Sequence, residues 1–140
     1  MLRLERLCKA KDADNGEWVE GYYIHLHKTT YCFAGEGGKS NEIHRLVHEQ
    51  MVDWGLPNKH LMTDIDPDTL CRCTGMEANG KLLYEFDKVL CKIENKIVRG
   101  VILYYKGAYW VRSETDMAEP KLLSYYVENG EVEYKGNTYD

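Results

Sequence analysis

Several short stretches hold residue types whose spacing could do chemistry. Gly35-Glu36-Gly37-Gly38-Lys39-Ser40 ends in the Gly-Lys-Ser of a phosphate-binding loop and lies between a strand and a candidate helix. That loop needs a Gly five positions before Gly38, where this chain has Phe33, so the backbone has no way to wrap phosphates in N–H groups and the stretch is read as a flexible loop. Asp64, Asp66 and Asp68 alternate as in a calcium loop. The sixth position is Thr69 in place of Gly and the twelfth is Gly75 in place of Glu, so this stretch is a turn that launches a strand.

Histidines offer a metal chemistry. His25 and His27 share one strand face, while His44 and His48 share a helix face at i and i+4, so four imidazoles can gather a transition metal only if the two elements pack together. Surface or interface histidines are the ordinary reading, and no metal and no cofactor is expected. Neither a Gly-x-Ser-x-Gly elbow nor a His-Glu-x-x-His pair is present. With no local catalytic signature, the chain is read as leaning away from an enzyme.

A last cluster is aromatic and basic. Tyr104, Lys106, Tyr109, Trp110 and Arg112, with Tyr105 among them, are what a single-strand nucleic-acid platform uses, since aromatic rings stack on bases while cations hold phosphates. The competing reading divides the same residues between a barrel core and a subunit contact, where Tyr and Trp are enriched.

The elements that must position these residues are mostly strands. The 140 residues suit one domain, and 11 Tyr, 12 Gly and only 3 Pro favour half-buried strands and tight turns. Asn15-Gly16, Asn79-Gly80, Glu94 to Lys96, Lys106-Gly107 and Asn129-Gly130 punctuate the chain as hairpin turns. Strands are expected over 2–10, over 18–33 as one strand or two, and over 89–93, 97–105 and 108–112. A final hairpin is expected from Leu122–Val127 and Val132–Tyr134. In the second of these, Tyr22, Ile24 and Leu26 lie on one face, with Tyr23, His25 and His27 on the other. Residues 42–54 fit a helix through Ile43, Leu46, Val47, Met51 and Trp54, and equally a strand through Ile43 to Val47. Short strands on tight turns make a small barrel or a strongly bent sheet.

Five cysteines are an odd number and suit reduced thiols. Cys71 and Cys73, spaced C-x-C, would face a core from one side of a strand. The net charge of −5 conceals a gradient: residues 79–113 carry seven basic and three acidic side chains, and residues 114–140 carry two and seven. Strands or subunits pairing by charge is the preferred reading of that gradient, ahead of a nucleic-acid face. No apolar run approaches the roughly 18 residues of a membrane span, and residues 1–10 do not read as a secretory signal, so a cytoplasmic protein with no membrane partner is expected.

Asp14-Asn15-Gly16-Glu17-Trp18-Val19-Glu20-Gly21, then Asp66-Pro67-Asp68-Thr69, Thr74-Gly75-Met76, Asn79-Gly80-Lys81 leading into Tyr84-Glu85-Phe86-Asp87-Lys88-Val89, and Gly136-Asn137-Thr138-Tyr139 occur in this order. The series resembles the YopX-like family of small phage and prophage proteins. One departure is Glu85-Phe86-Asp87, where the family has Glu-Gly-Asp, so an aromatic residue stands where Gly would allow a bulge or a positive φ. The resemblance implies a single YopX-like domain over 1–140, mainly β, with a small SH3-like barrel in 71–140 and a β-rich N-terminal extension in 1–70. It implies no reaction and carries over no catalytic residues. A phage accessory protein in the cytoplasm of its bacterial host is expected, acting as a homo-oligomer or on a host or phage protein. Single-stranded nucleic acid is the alternative partner.

Overall fold

A computed structural model of the chain describes residues 6–27, 42–50, 54–56, 59–114 and 119–140. The protein is mainly β and divides into two compact units, Leu7–Leu70 and one built on Cys71–Asp140. Gly35–Ser40 and Cys32 lie outside the described residues.

In the first unit, β1 (Leu7–Lys11), β2 (Trp18–His27), β3 (Glu42–Gln50) and β4 (Lys59–Asp64) form an antiparallel meander in the order β4-β3-β2-β1. The turn into β2 is held by its own side chains. Asp12 Oδ1 accepts from the Asp14 N–H and Asn15 Oδ1 from the Glu17 N–H, both at 2.8 Å. Residues 42–50 are a strand, because pairing on both sides, to β2 and β4, satisfies a backbone that a lone amphipathic helix would have to satisfy by itself. Period-2 alternation places Cys8, Ala10, Val19, Tyr23 and Leu46 on one face, where they pack with Ile65 as the core. The carboxylate-rich stretch closes the unit as a 3-10 turn at Pro67–Thr69, capped by Asp66 Oδ1 accepting from the Asp68 N–H.

In the second unit, β5 (Cys71–Ala78) and β6 (Lys81–Tyr84) form a hairpin. β7 (Asp87–Ile93), β8 (Lys96–Tyr105), β9 (Ala108–Ser113), β10 (Lys121–Leu122) and β11 (Glu131–Asn137) form a sheet in the order β10-β9-β8-β7-β11. Asn79 and Gly80 at φ 52° and 81°, Glu94 and Asn95 at 44° and 64°, and Lys106 and Gly107 at 48° and 77° make three two-residue turns. Each has positive φ at both central positions, which matches the twist of its flanking strands. The C-x-C reading holds: Cys71 and Cys73 are both fully buried. Leu83, Val89, Cys91, Ile102, Val111 and Val132 fill the core. A hairpin and a sheet sharing one core are compatible with the SH3-like barrel that the resemblance implies.

One expected element is corrected. Leu122–Val127 does not make the first strand of a hairpin: only Lys121–Leu122 pairs as β10, and α1 (Leu123–Asn129) follows. The Tyr-Tyr-Val run has strand propensity and no side chain caps the helix, but the three-residue spacing of Leu123 and Tyr126 buries both against the core. Packing overrides local preference there.

A buried polar knot ties the ends of this unit together. Asp87 is fully buried; its Oδ2 accepts from the Tyr84 N–H at 2.7 Å and its Oδ1 from the Asn137 side-chain amide at 2.8 Å. Phe86 between them sits at φ 68°, with its N–H donating to Ile102 O and its carbonyl accepting from the N–H and hydroxyl of Thr138. Asn137→Ala removes an amide donor from a buried carboxylate and is expected to cost about 3 kcal/mol in a urea titration. A loss below about 1 kcal/mol would remove Asn137 from this role.

Burial also pushes the Cys91 thiol from 9.0 up to about 12. The folded thiol holds its proton more tightly than the unfolded one, so this contribution to stability is complete below about pH 9 and is lost as the pH rises through about 12. At pH 8, iodoacetamide should label Cys91 at least about tenfold more slowly in native protein than in urea, read by peptide mass spectrometry. Equal rates would contradict its burial.

Candidate interaction face and histidine cluster

The aromatic and basic residues singled out in the sequence do not share one surface. Register across the β8–β9 hairpin pairs Tyr104 with Tyr109 and Leu103 with Trp110, so the period-2 alternation sends the two pairs to opposite faces of the sheet. Tyr104 and Tyr109 lie on the core side, where Val111 is buried. Their rings are 5.1 Å apart, the Arg72 guanidinium lies 3.9 Å from the Tyr104 ring, and the Tyr109 hydroxyl donates to Cys73 O at 3.3 Å. Arg72 is itself engaged by Glu85, at 3.1 Å from Nη2 to Oε2, and this hydrogen bond raises its pKa. Desolvation raises the Tyr109 pKa, so its phenol stays a donor. Tyr109 packs against the unit's core, while Tyr104, 41% exposed, covers its outer edge under Arg72.

Trp110 and Arg112 lie on the outer side with Val101, Leu103 and Tyr105, and Lys106 sits at the hairpin tip with its ammonium 5.3 Å from the Tyr105 ring. The Trp110 indole N–H donates to Tyr105 O at 2.9 Å, which lays the ring along the hairpin. Extending the register across the sheet adds Lys88, Leu90 and Lys92 from β7, Ile97 and Arg99 from β8, and Leu122 from β10. Ile97 is 64% exposed, Tyr105 59% and Leu122 38%, so the outer face presents apolar surface between cations. Among the described residues, the ion pairs of this unit are Arg72–Glu85 and Lys135–Glu133, neither of which engages Lys88, Lys92, Arg99 or Arg112. Glu131 and Glu133 stand on the same face, along the β11 margin. The β11 margin bears Glu131, Glu133 and Lys135, the last paired with Glu133, while the outer residues of β7 to β9 that carry charge are basic. Sequence inspection marked the hairpin but missed Leu90, Ile97, Arg99 and Leu122, because only the pairing register reveals which residues of five strands look outward.

In the first unit three of the four histidines converge. His25 pairs across strands with His44, and His27 with Glu42. The His25 and His44 rings stack with centroids 4.5 Å apart, and His25 and His27 are 5.6 Å apart. Glu42 reaches both neighbours, with Oε1 3.7 Å from His25 Nε2 and Oε2 3.7 Å from His44 Nε2. The Tyr23 hydroxyl is hydrogen-bonded to His44 Nδ1, and burial, with Glu42 nearby, raises its pKa. His48 faces Thr63 Oγ1 at 2.9 Å instead, since Leu46 intervenes between it and His44 on β3. One ligand atom each from His25, His27 and Glu42 lies within 4.8 Å of the others, a set able to hold a metal ion.

No family model, curated protein or solved structure matches the chain. No described helix is long and apolar enough to cross a membrane.

The division of faces has a measurable consequence. Tyr109→Ala removes a ring packed on the core and is expected to cost about 3 kcal/mol, whereas Arg112→Ala, on the outer face, should stay within about 0.5 kcal/mol. Equal costs in urea denaturation would contradict the assignment.

Proposed function

We propose that the chain is a non-enzymatic accessory protein of phage or prophage origin, similar to the YopX-like family, that works in the bacterial cytoplasm by assembling through the outer face of its five-stranded sheet. The observation that carries the reading is the apolar centre of that face, Val101 and Leu103 on β8, with exposed Ile97 and Tyr105 toward the two ends of the same strand. Two copies stacked face to face about a two-fold axis running along β8 lay β8 of each on β8 of the other, and β11 of each over β10 of the other. Apolar centre then meets apolar centre, as an isologous contact requires. The apolar band supplies the burial. The resemblance supports the origin, since its blocks at Asn79-Gly80, Tyr84–Val89 and Gly136–Tyr139 fall on a turn and on the two sides of the Asp87–Asn137 knot.

Sedimentation of the full chain tests the assembly. A dimer is expected, with Leu103→Glu shifting it to monomer. A monomer at every concentration, or a dimer indifferent to Leu103→Glu, would refute the proposal.

A second reading has one observation in its favour: Tyr105 and Trp110 share the outer face with Arg99 and Arg112, so a single-stranded nucleic acid would find rings and cations together. It requires binding of an oligothymidylate that falls steeply with salt and is lost on Trp110→Ala. Loss on Tyr109→Ala, on the other side of the sheet, is not part of this reading.

A further inference from the structure

The first unit carries a donor set that the assembly reading does not use. His25 and His27, two residues apart on β2, project from one face of the meander, and Glu42 projects beside them from the facing position on β3. This is the same face that packs Tyr23 and Leu46 into the core, followed outward to where it meets solvent. The donors are two imidazole nitrogens and a carboxylate oxygen, the mixture that binds zinc-class ions in sites that keep one position open.

We propose that His25, His27 and Glu42 bind one divalent transition-metal ion of the zinc class, leaving a fourth position to solvent, with His44 and Tyr23 acting as positioning residues. Bonds of about 2.0–2.1 Å in a tetrahedral site place ligands about 3.4 Å apart, so the present separations of up to 4.8 Å must contract by a little over 1 Å. Side-chain rotation covers that distance, because all three ligands are exposed.

The neighbours orient Glu42. When the Tyr23 phenol donates to His44 Nδ1, the ring's own proton sits on Nε2, 3.7 Å from Glu42 Oε2. Glu42 Oε1 faces the His25 side, 3.7 Å from its Nε2. Carboxylate ligands are commonly oriented by such a partner, and removing one weakens binding by about 10- to 100-fold.

The test is calorimetric titration of Zn(II), and separately of Co(II), into the EDTA-stripped full chain. One ion per chain is expected. His27→Ala and Glu42→Gln should each weaken binding at least about tenfold, and Tyr23→Phe should weaken it by a smaller factor while leaving the stoichiometry at one. His60→Ala is the control, since His60 pairs with Glu49 on the same sheet, away from the three donors. Cobalt absorption characteristic of low-coordinate nitrogen and oxygen ligation should appear with the wild type and vanish with His27→Ala. No uptake by the wild type, or uptake unchanged by both His27→Ala and Glu42→Gln in variants with native circular dichroism, would overturn the proposal. Loss on His60→Ala with binding retained in His27→Ala would likewise overturn it.

Discussion

A buried carboxylate sets the terms for the second unit. Taking Asp87 out of water costs several kcal/mol unless hydrogen bonds replace its hydration, and the Tyr84 amide and the Asn137 side chain are among its donors. Both donors are then fixed in space: one at the end of β6, the other at the end of β11. The tight connection between β6 and β7 follows, and with it the positive φ of Phe86. An L residue tolerates that conformation at a cost of about 1 kcal/mol. Backbone bonds to Ile102 and Thr138 on either side of Phe86, and the edge-on contact of its ring with Tyr139 at 5.6 Å, offset the cost. An aromatic residue therefore occupies a place where glycine would be cheaper, because its ring has something to pack against.

Once β7 is anchored at Asp87, strict alternation does the rest. Asp87, Val89 and Cys91 face inward, so Lys88, Leu90 and Lys92 must face outward, and the hairpin registers pass that polarity to β8 and β9. Four of the seven basic residues of 79–113, Lys88, Lys92, Arg99 and Arg112, thus lie on one sheet face. Arg72, outside that segment, is spent on Glu85 and Tyr104 on the inner side. Tyr104 and Tyr105 are neighbours in sequence and lie on opposite faces of the sheet for the same reason.

The same rule operates in the first unit with a different outcome. Its inner face begins as an apolar core at Ala10, Cys8 and Leu46 and ends, toward the end of β2, in histidines and a glutamate. Tyr23 marks the transition, its ring beside the core and its hydroxyl on His44. A face that turns from apolar to ligand-bearing within three residue pairs gives rigid backing to exposed side chains, a suitable foundation for a binding site.

Much of this was legible in the residues. Asn79-Gly80 announces a turn because few pairs tolerate positive φ twice, and Lys106-Gly107 announces one through its Gly. Alternation in β2 separates Tyr22, Ile24 and Leu26 from Tyr23, His25 and His27, and C-x-C puts two thiols in the core. The short-range chemistry of the backbone decides such features. By contrast, the helix at Leu123–Asn129 was hidden behind strand-forming Tyr and Val. The strand at Glu42–Gln50 was indistinguishable from a helix until it found partners, and the outer face could not be assembled from one hairpin. These depend on which segments lie side by side, and strand pairing joins residues far apart in the chain through backbone groups that are identical in every residue. Sequence alone therefore determined the turns, the alternation and a β class; tertiary structure decided the register, and through it which side chains meet.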